Sequence, residues 1–178
     1  GFESYGCDNS KEAVKIAKKI NPKHTILNSS ATKLPFSNES FDFVSGISLI
    51  EHLNQKEANK FLIEAKRVLK QDGQIFLVTP NFQTPLRILS GKNWFAYQDP
   101  THIAFYTPKT LSKLLVKNGF KNPLTSYSVP YSSKIKSEFP NFFQYLPTKL
   151  SRLLLYLMFK SPLSIIRNSF WISARKNA

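Results

Sequence analysis

The run Gln55-Lys56-Glu57-Ala58-Asn59-Lys60-Phe61-Leu62-Ile63-Glu64-Ala65-Lys66-Arg67-Val68-Leu69, followed beyond Asp72-Gly73 by Ile75-Phe76-Leu77-Val78-Thr79, decides the fold class. In its first part Ala58, Phe61, Leu62, Ala65, Val68 and Leu69 recur at helical spacing, which predicts a helix over residues 55–69 closed by Asp72-Gly73. In its second part an unbroken apolar stretch up to Thr79 predicts a strand over 75–79, covered on both faces as in a parallel sheet. A helix feeding such a strand is one unit of an α/β layer.

The alternation continues in both directions. Upstream, residues 2–6 form a strand candidate that runs into Asp8, and Asn9 with Glu12 three positions on reads as a helix N-cap and its partner. The helix that follows carries Ala13, Ile16, Ala17 and Ile20 on one stripe and stops at Asn21-Pro22. Residues 25–28 and 41–46 are the next strands, the second announced by the Ser37-Asn38-Glu39-Ser40 turn. Downstream, residues 81–106 show no clear period and are rich in aromatics, and segments of that length are usually functional or disordered. Thr107-Pro108 then opens a helix with Leu111, Leu114 and Leu115 on one face and Gly119 at its end. Strands over 124–129 and 170–175 complete the sheet, separated by an insertion with a helix over 150–159. Together these elements predict an α/β sandwich with a mostly parallel sheet, in which ligands sit beyond the carboxyl ends of the strands. That rule selects Asp8, the loop 30–36 and the segment 45–53.

A chain of 178 residues with 42% hydrophobic and 13% aromatic content suffices for one domain with a core. Its charge is uneven. Residues 1–80 hold 11 Lys/Arg against 9 Asp/Glu, whereas residues 81–178 hold 14 against 2. The basic second half would attract an anionic acceptor, an anionic membrane surface or nucleic acid, or it reflects a lysine-rich composition alone. The lone Cys7 excludes an internal disulfide and any cysteine-based zinc cluster, and no metal site is read from the sequence. Charges scattered through residues 1–20 leave no apolar leader, so the expected location is cytoplasmic.

Several phrases, in order, resemble the class I S-adenosylmethionine-dependent methyltransferases, particularly the group acting on small molecules. They are Gly6-Cys7-Asp8-Asn9-Ser10, Ala31-Thr32-Lys33-Leu34-Pro35-Phe36, Ser40-Phe41-Asp42-Phe43-Val44 and Leu49-Ile50-Glu51-His52-Leu53. Glu64-Ala65-Lys66-Arg67-Val68-Leu69-Lys70, the run from Gly73 to Asn81, and His102-Ile103-Ala104-Phe105-Tyr106-Thr107-Pro108 continue the series. The resemblance implies a Rossmann-like sandwich, S-adenosyl-L-methionine as cofactor, and one domain divided into a cofactor-side core over 1–81 and a substrate side over 82–178. It assigns Asp8, with Asn9, to the ribose hydroxyls, since a carboxylate suits two donors. Ser30 and Ala31 fall near the adenine amino group, at a place where the family usually has an acid. Gly46 and Ile47 fall beside the methionine end of the cofactor. Trp94, Tyr97 and Tyr106 are expected to line the acceptor pocket, with His102 as the candidate general base. The acceptor implied is a small molecule, a sugar or a lipid-linked intermediate, an anionic one included, and no specific nucleic acid.

The resemblance also implies that a first strand and a glycine-rich loop precede Gly1. That strand belongs between the strands at 2–6 and 41–46, so two open edges should face one another, and the 178-residue piece should be impaired alone. Between Leu146 and Arg167, Leu150, Leu153, Leu154, Leu157 and Met158 alternate with Lys149, Arg152 and Lys160. The apolar run is far short of the ~20 residues of a bilayer span, so a lid helix is expected, with peripheral membrane contact as the minority reading. Two rivals remain. A nicotinamide-dependent oxidoreductase also places an acid after its second strand, but leaves Leu34-Pro35-Phe36 and Glu51-His52 unexplained. A non-catalytic binding module on a decayed methyltransferase fold would use the basic half, yet no recognised nucleic-acid motif is present.

Overall fold

The computed structural model describes residues 3–127, 147 and 167–177. The order of elements is β1 (Tyr5–Asp8), α1 (Lys11–Ile20), β2 (Thr25–Asn28), β3 (Phe41–Ile47), a 3-10 turn (Ile50–His52), α2 (Gln55–Val68) and β4 (Leu69–Pro80). They are followed by α3 (Pro85–Ser90), two short 3-10 turns, α4 (Pro108–Lys117), β5 (Phe120–Ser126) and β6 (Ser169–Lys176). The insertion helix expected at 150–159 and the membrane-contact stretch 146–167 lie, but for Pro147 and Arg167, outside the described residues.

The strands form two sheets. β1 and β2 pair in parallel, and β3, β4, β6 and β5 lie in that order, with β3–β4 parallel and β6 antiparallel to both neighbours. β1 and β3 are each the edge of their sheet, as the expected open edges require. Rings bridge their starts, with Tyr5 set edge-on to Phe41 at 5.6 Å and to Phe36 at 5.8 Å.

The helix α2 shows why the pattern folds as it does. Asn54 caps it, accepting from the Glu57 amide while the Glu57 carboxylate accepts from the Asn54 amide, so two otherwise orphaned donors are satisfied. A 14-residue helix is marginal alone. Its stripe Ala58, Phe61, Leu62, Ala65 and Val68 is buried, and the first four join Ile75 and Leu77 of β4, Leu111 and Leu115 of α4, and Phe170 and Ile172 of β6 in one core. Burial of the large members at about 1.5–3 kcal/mol each outweighs helix propensity. The other face of the sheet carries a row of rings, Phe43, Phe76 and Trp171, with Phe43 exposed. The expectation of a strand covered on both faces therefore holds for one face only among the described residues.

Other local expectations are corrected. β1 starts at Tyr5, and the cap of α1 is Ser10, whose hydroxyl accepts from the Ala13 amide, because Asp8 already receives the Ser10 amide and turns the chain one residue later than Asn9. On α1, Val14 takes the buried position while Ile16 and Ile20 are exposed, since among the described residues the helix packs chiefly on the two-stranded sheet. Asp72-Gly73 does not close α2. β4 begins directly at Leu69, and its register against β3 jumps from Phe41–Leu69 to Phe43–Gln74. Asp72, with φ +56°, turns within this bulge, and a Cβ on Gly73 would sit 2.9 Å from the Lys70 carbonyl, so only glycine fits. The unpatterned segment 81–106 contains α3 and two 3-10 turns. It leaves and returns at one point: Asn81 and Tyr106 form a parallel bridge, and the Phe82 amide donates to the Tyr106 carbonyl.

Candidate functional site

Asp8, the loop after Asn28, and Ile47 stand at the carboxyl ends of β1, β2 and β3. Asp8 ends β1. Its Oδ1 accepts from the Ser10 amide at 2.7 Å, and its carbonyl accepts from the Asn28 side chain and the Ser29 amide, so the residue is fixed from both sides. Oδ2 carries no hydrogen bond among the described residues, and the side chain is exposed. A rigid carboxylate with a free oxygen beyond a parallel strand fits a pair of hydroxyl donors. Asn9 is exposed beside it.

Ser30 spends its hydroxyl locally, bonding Thr32 Oγ1 at 2.9 Å and accepting from the Thr32 amide. Ala31 packs against the core. The rest of this loop is held from α2. Arg67 donates to the carbonyls of Leu34 and Phe36 and to Asn38 Oδ1, while Glu64 accepts from Arg67 and from the Leu34 amide. The Arg67 guanidinium holds the Glu64 carboxyl below its ordinary range, with burial opposing and the Leu34 amide assisting. Sequence reasoning quoted the Glu64–Arg67 pair as part of a phrase and missed this clamp.

Gly46 is buried, and a Cβ there would meet Leu77 at 3.1 Å, Leu49 at 3.3 Å and Phe61 at 3.4 Å. Close packing is thus sufficient reason for the glycine. Ile47 is exposed at the end of β3. Ser48 then takes a left-handed φ of +48°, with its amide on the Val78 carbonyl, and this turn drops Ile50 and Glu51 into the interior.

Glu51 is 1% exposed. Its Oε2 accepts from the Thr79 hydroxyl at 3.0 Å, and its carbonyl accepts from the amides of both Ile103 and Ala104, which ties the segment 99–104 to the turn after β3. His52 and His102 consequently meet, with ring centroids 4.7 Å apart. His102 places Nδ1 on the Ala96 carbonyl at 2.8 Å and Nε2 at 3.7 Å from Asp99 Oδ2, and its side chain is 9% exposed. This corrects the general-base assignment: Nδ1 is engaged by the Ala96 carbonyl and Nε2 faces Asp99, so the ring is held on both sides. The sequence showed Glu51-His52 and His102 as separate signals. Their convergence rests on backbone pairing across fifty residues, which leaves no periodic trace.

Trp94 is also corrected. It is 1% exposed, its indole N–H donates to Asn168 Oδ1 at 3.0 Å, and it stands at the centre of Phe82, Phe95, Tyr97 and Phe105. It backs the surface and does not line it. Tyr97 is exposed, edge-on to Trp94 and Phe105. Tyr106 is half-buried, and burial first, then the Glu51 carboxylate, raises its phenol above the ordinary value. A hollow of about 380 Å³ bounded by Asn38, Glu39, Ile63, Lys66, Arg67 and Lys176 lies at the opposite, amino-terminal ends of β3 and β4.

Parallel strands with an acid at the end of β1 and helices between them make a Rossmann-like α/β fold. Residues 1–77 match the family model described as a methyltransferase domain. The chain is 32% identical over 73 residues to a tRNA (carboxymethyluridine(34)-5-O)-methyltransferase of Saccharomyces cerevisiae, covering 40% of the chain and 26% of the relative. It is 33% identical over 121 residues to the uncharacterized protein MJ1123 of Methanocaldococcus jannaschii, covering 66% and 55% respectively. Its fold is similar to that of a SAM-dependent methyltransferase from Archaeoglobus fulgidus, with a TM-score of 0.67, 22% identity, and coverage of 99% of this chain and 77% of that one. Residues 1–77 thus match a methyltransferase domain, and the fold is similar to that of the class I S-adenosylmethionine-dependent methyltransferases, whose cofactor is S-adenosyl-L-methionine. The chain spans about half or less of the curated relatives it matches. No helix among the described residues is long and apolar enough to cross a membrane.

Proposed function

We propose that the protein transfers the methyl group of S-adenosyl-L-methionine to a small molecule, a sugar or a lipid-linked acceptor. The observation that carries this reading is Asp8, a carboxylate locked by the Ser10 amide at the end of β1 with Oδ2 left open. Asp8 and Asn9 would hold the ribose, Ser30 and Ala31 the adenine side, and the backbone at Gly46 and Ile47 the methionine end. The cofactor supplies a methyl group activated by its sulfonium, so the protein's task is alignment and exclusion of water. Tyr97 and Tyr106 would face the acceptor, with Trp94 stiffening the wall behind them.

Calorimetry with S-adenosylhomocysteine tests the ribose assignment in the natural protein. Asp8→Ala removes two hydrogen bonds to an ionised group at about 1.5 kcal/mol each, so affinity should fall roughly a hundredfold. An unchanged dissociation constant with an intact fold refutes it. A second reading, an RNA acceptor, is supported by the excess of 14 Lys/Arg over 2 Asp/Glu in residues 81–178 and by the tRNA-modifying relative. A turnover panel that includes unmodified tRNA separates the two, since RNA binding would weaken steeply with salt.

A further inference from the structure

We infer that Glu51, His52 and His102 form a binding site for a divalent first-row transition-metal ion. One donor atom from each residue lies within 4.8 Å of the others. For the neutral imidazoles, the hydrogen bonds around them assign the free lone pairs. His102 Nδ1 faces the Ala96 carbonyl, which can only accept, so Nδ1 carries the proton and Nε2 the lone pair. For His52, Nδ1 faces the Thr101 carbonyl and the Thr101 hydroxyl. The single proton of that hydroxyl goes to Asp99 Oδ1, so toward His52 it too accepts, and the lone pair of His52 again lies on Nε2.

The third member is an unpaired one. Glu51 is 1% exposed, and its Oε1 is buried without a hydrogen-bond partner, whereas Oε2 is satisfied by Thr79. A buried carboxylate oxygen with no donor is costly, and so is the approach of further lone pairs to it. Two imidazole nitrogens with a free lone pair and one unpartnered carboxylate oxygen, on three side chains that cluster within reach of one ion, are complementary to a cation. Imidazole donors favour zinc, iron, cobalt or nickel over magnesium or calcium. The Nδ1–H to carbonyl bonds match the outer contacts that orient metal-bound histidines. Asp99 Oδ2, 3.7 Å from His102 Nε2, is a further oxygen in reach, and three protein ligands leave at least one position open. The ligand atoms must draw together by roughly 1 Å or more for bonds of ~2.1 Å, which side-chain rotation supplies.

Such an ion would cross-link the turn after β3 to the segment 99–104, reinforcing the two amide bonds on the Glu51 carbonyl. That its open position faces a methyl acceptor rests on the methyl-transfer reading; the binding itself does not. The test is titration of the chelator-stripped natural protein with Co²⁺ alone, followed by visible absorption and thermal melting, with S-adenosylhomocysteine affinity measured separately. One equivalent of Co²⁺ should give a d–d spectrum of nitrogen-ligated metal and raise the melting temperature. His102→Gln and His52→Gln should each lower Co²⁺ affinity by on the order of a hundredfold, and Glu51→Gln by at least about tenfold. His24→Gln, remote and bonded to Ser4, should change nothing. Circular dichroism confirms that each variant is folded. Absence of stoichiometric Co²⁺ binding, or binding that persists in both folded His52→Gln and His102→Gln, overturns the inference whatever the cofactor affinity.

Discussion

Arg67→Ala tests whether the loop 30–38 is held by α2 or by its own turns. The guanidinium makes two bonds to Glu64 at 2.8 Å, one each to the carbonyls of Phe36 and Leu34 at 2.7 and 2.9 Å, and one to Asn38 at 3.0 Å. The side chain is 30% exposed and that of Glu64 18%, so water replaces part of what is lost. Charge-assisted bonds to the two part-buried carbonyls should contribute about 1.5 kcal/mol each, at the low end of their range. The i,i+3 ion pair adds about 0.3–0.5 kcal/mol and the exposed Asn38 bond little. The substitution should therefore destabilise the protein by roughly 3 kcal/mol, a fall of about 10 °C in melting temperature for a domain of this size. Urea unfolding gives the free energy, and amide exchange gives the location: amides 30–38 should exchange faster while the centre of α2 keeps its protection. Arg67→Lys should recover only part, because an ammonium cannot serve two carbonyls and a carboxylate in one plane. A loss below about 1 kcal/mol, or loosening spread evenly over the fold, would refute the clamp.

The same pair sets an acid limit. Because Glu64 is held below its ordinary value in the folded state, chiefly by Arg67, its contribution is complete above the unfolded value of 4.5 and is lost as pH falls through the folded one. Stability measured from pH 7 to 3 should thus decline below about 4.5 more steeply in the wild type than in Glu64→Gln; parallel curves would remove the argument. At Gly46, alanine would press a methyl against Leu77, Leu49 and Phe61 at 3.1–3.4 Å, for an expected loss of about 1–3 kcal/mol on chemical denaturation. A neutral Gly46→Ala would instead leave cofactor approach as the reason for that glycine.

How much of this was legible depends on whether the information was local. The α2 stripe, its Asn54–Glu57 cap and the Thr107-Pro108 start of α4 are encoded within one or two turns, and they appear where the pattern puts them. β4 was misjudged at its start because Asp72-Gly73, an ordinary terminator, here turns inside a bulge whose existence depends on the register against β3. The exposed Ile16 and Ile20 were misplaced for a related reason. Their spacing reports a stripe but not what lies opposite it, and among the described residues α1 meets chiefly the short β1–β2 sheet.

The site follows the same division, with one further step. The place of Asp8 at the end of β1 was legible because it depends on the adjacent chain alone. His102 and Trp94 were legible as chemistry but not as geometry, since a histidine or an indole on a long segment is drawn inward or left outward by partners elsewhere. For Trp94 the partner is Asn168, seventy-four residues on; for His102 it is the Glu51 carbonyl that captures the amides of its neighbours Ile103 and Ala104. Once that capture is made, both imidazoles have their Nδ1 spent on carbonyls, which leaves each Nε2 free in a cluster that includes Glu51 and, beside His102, Asp99. A residue read from sequence as a base thus becomes, through two backbone hydrogen bonds, one of three lone pairs that a single cation would satisfy.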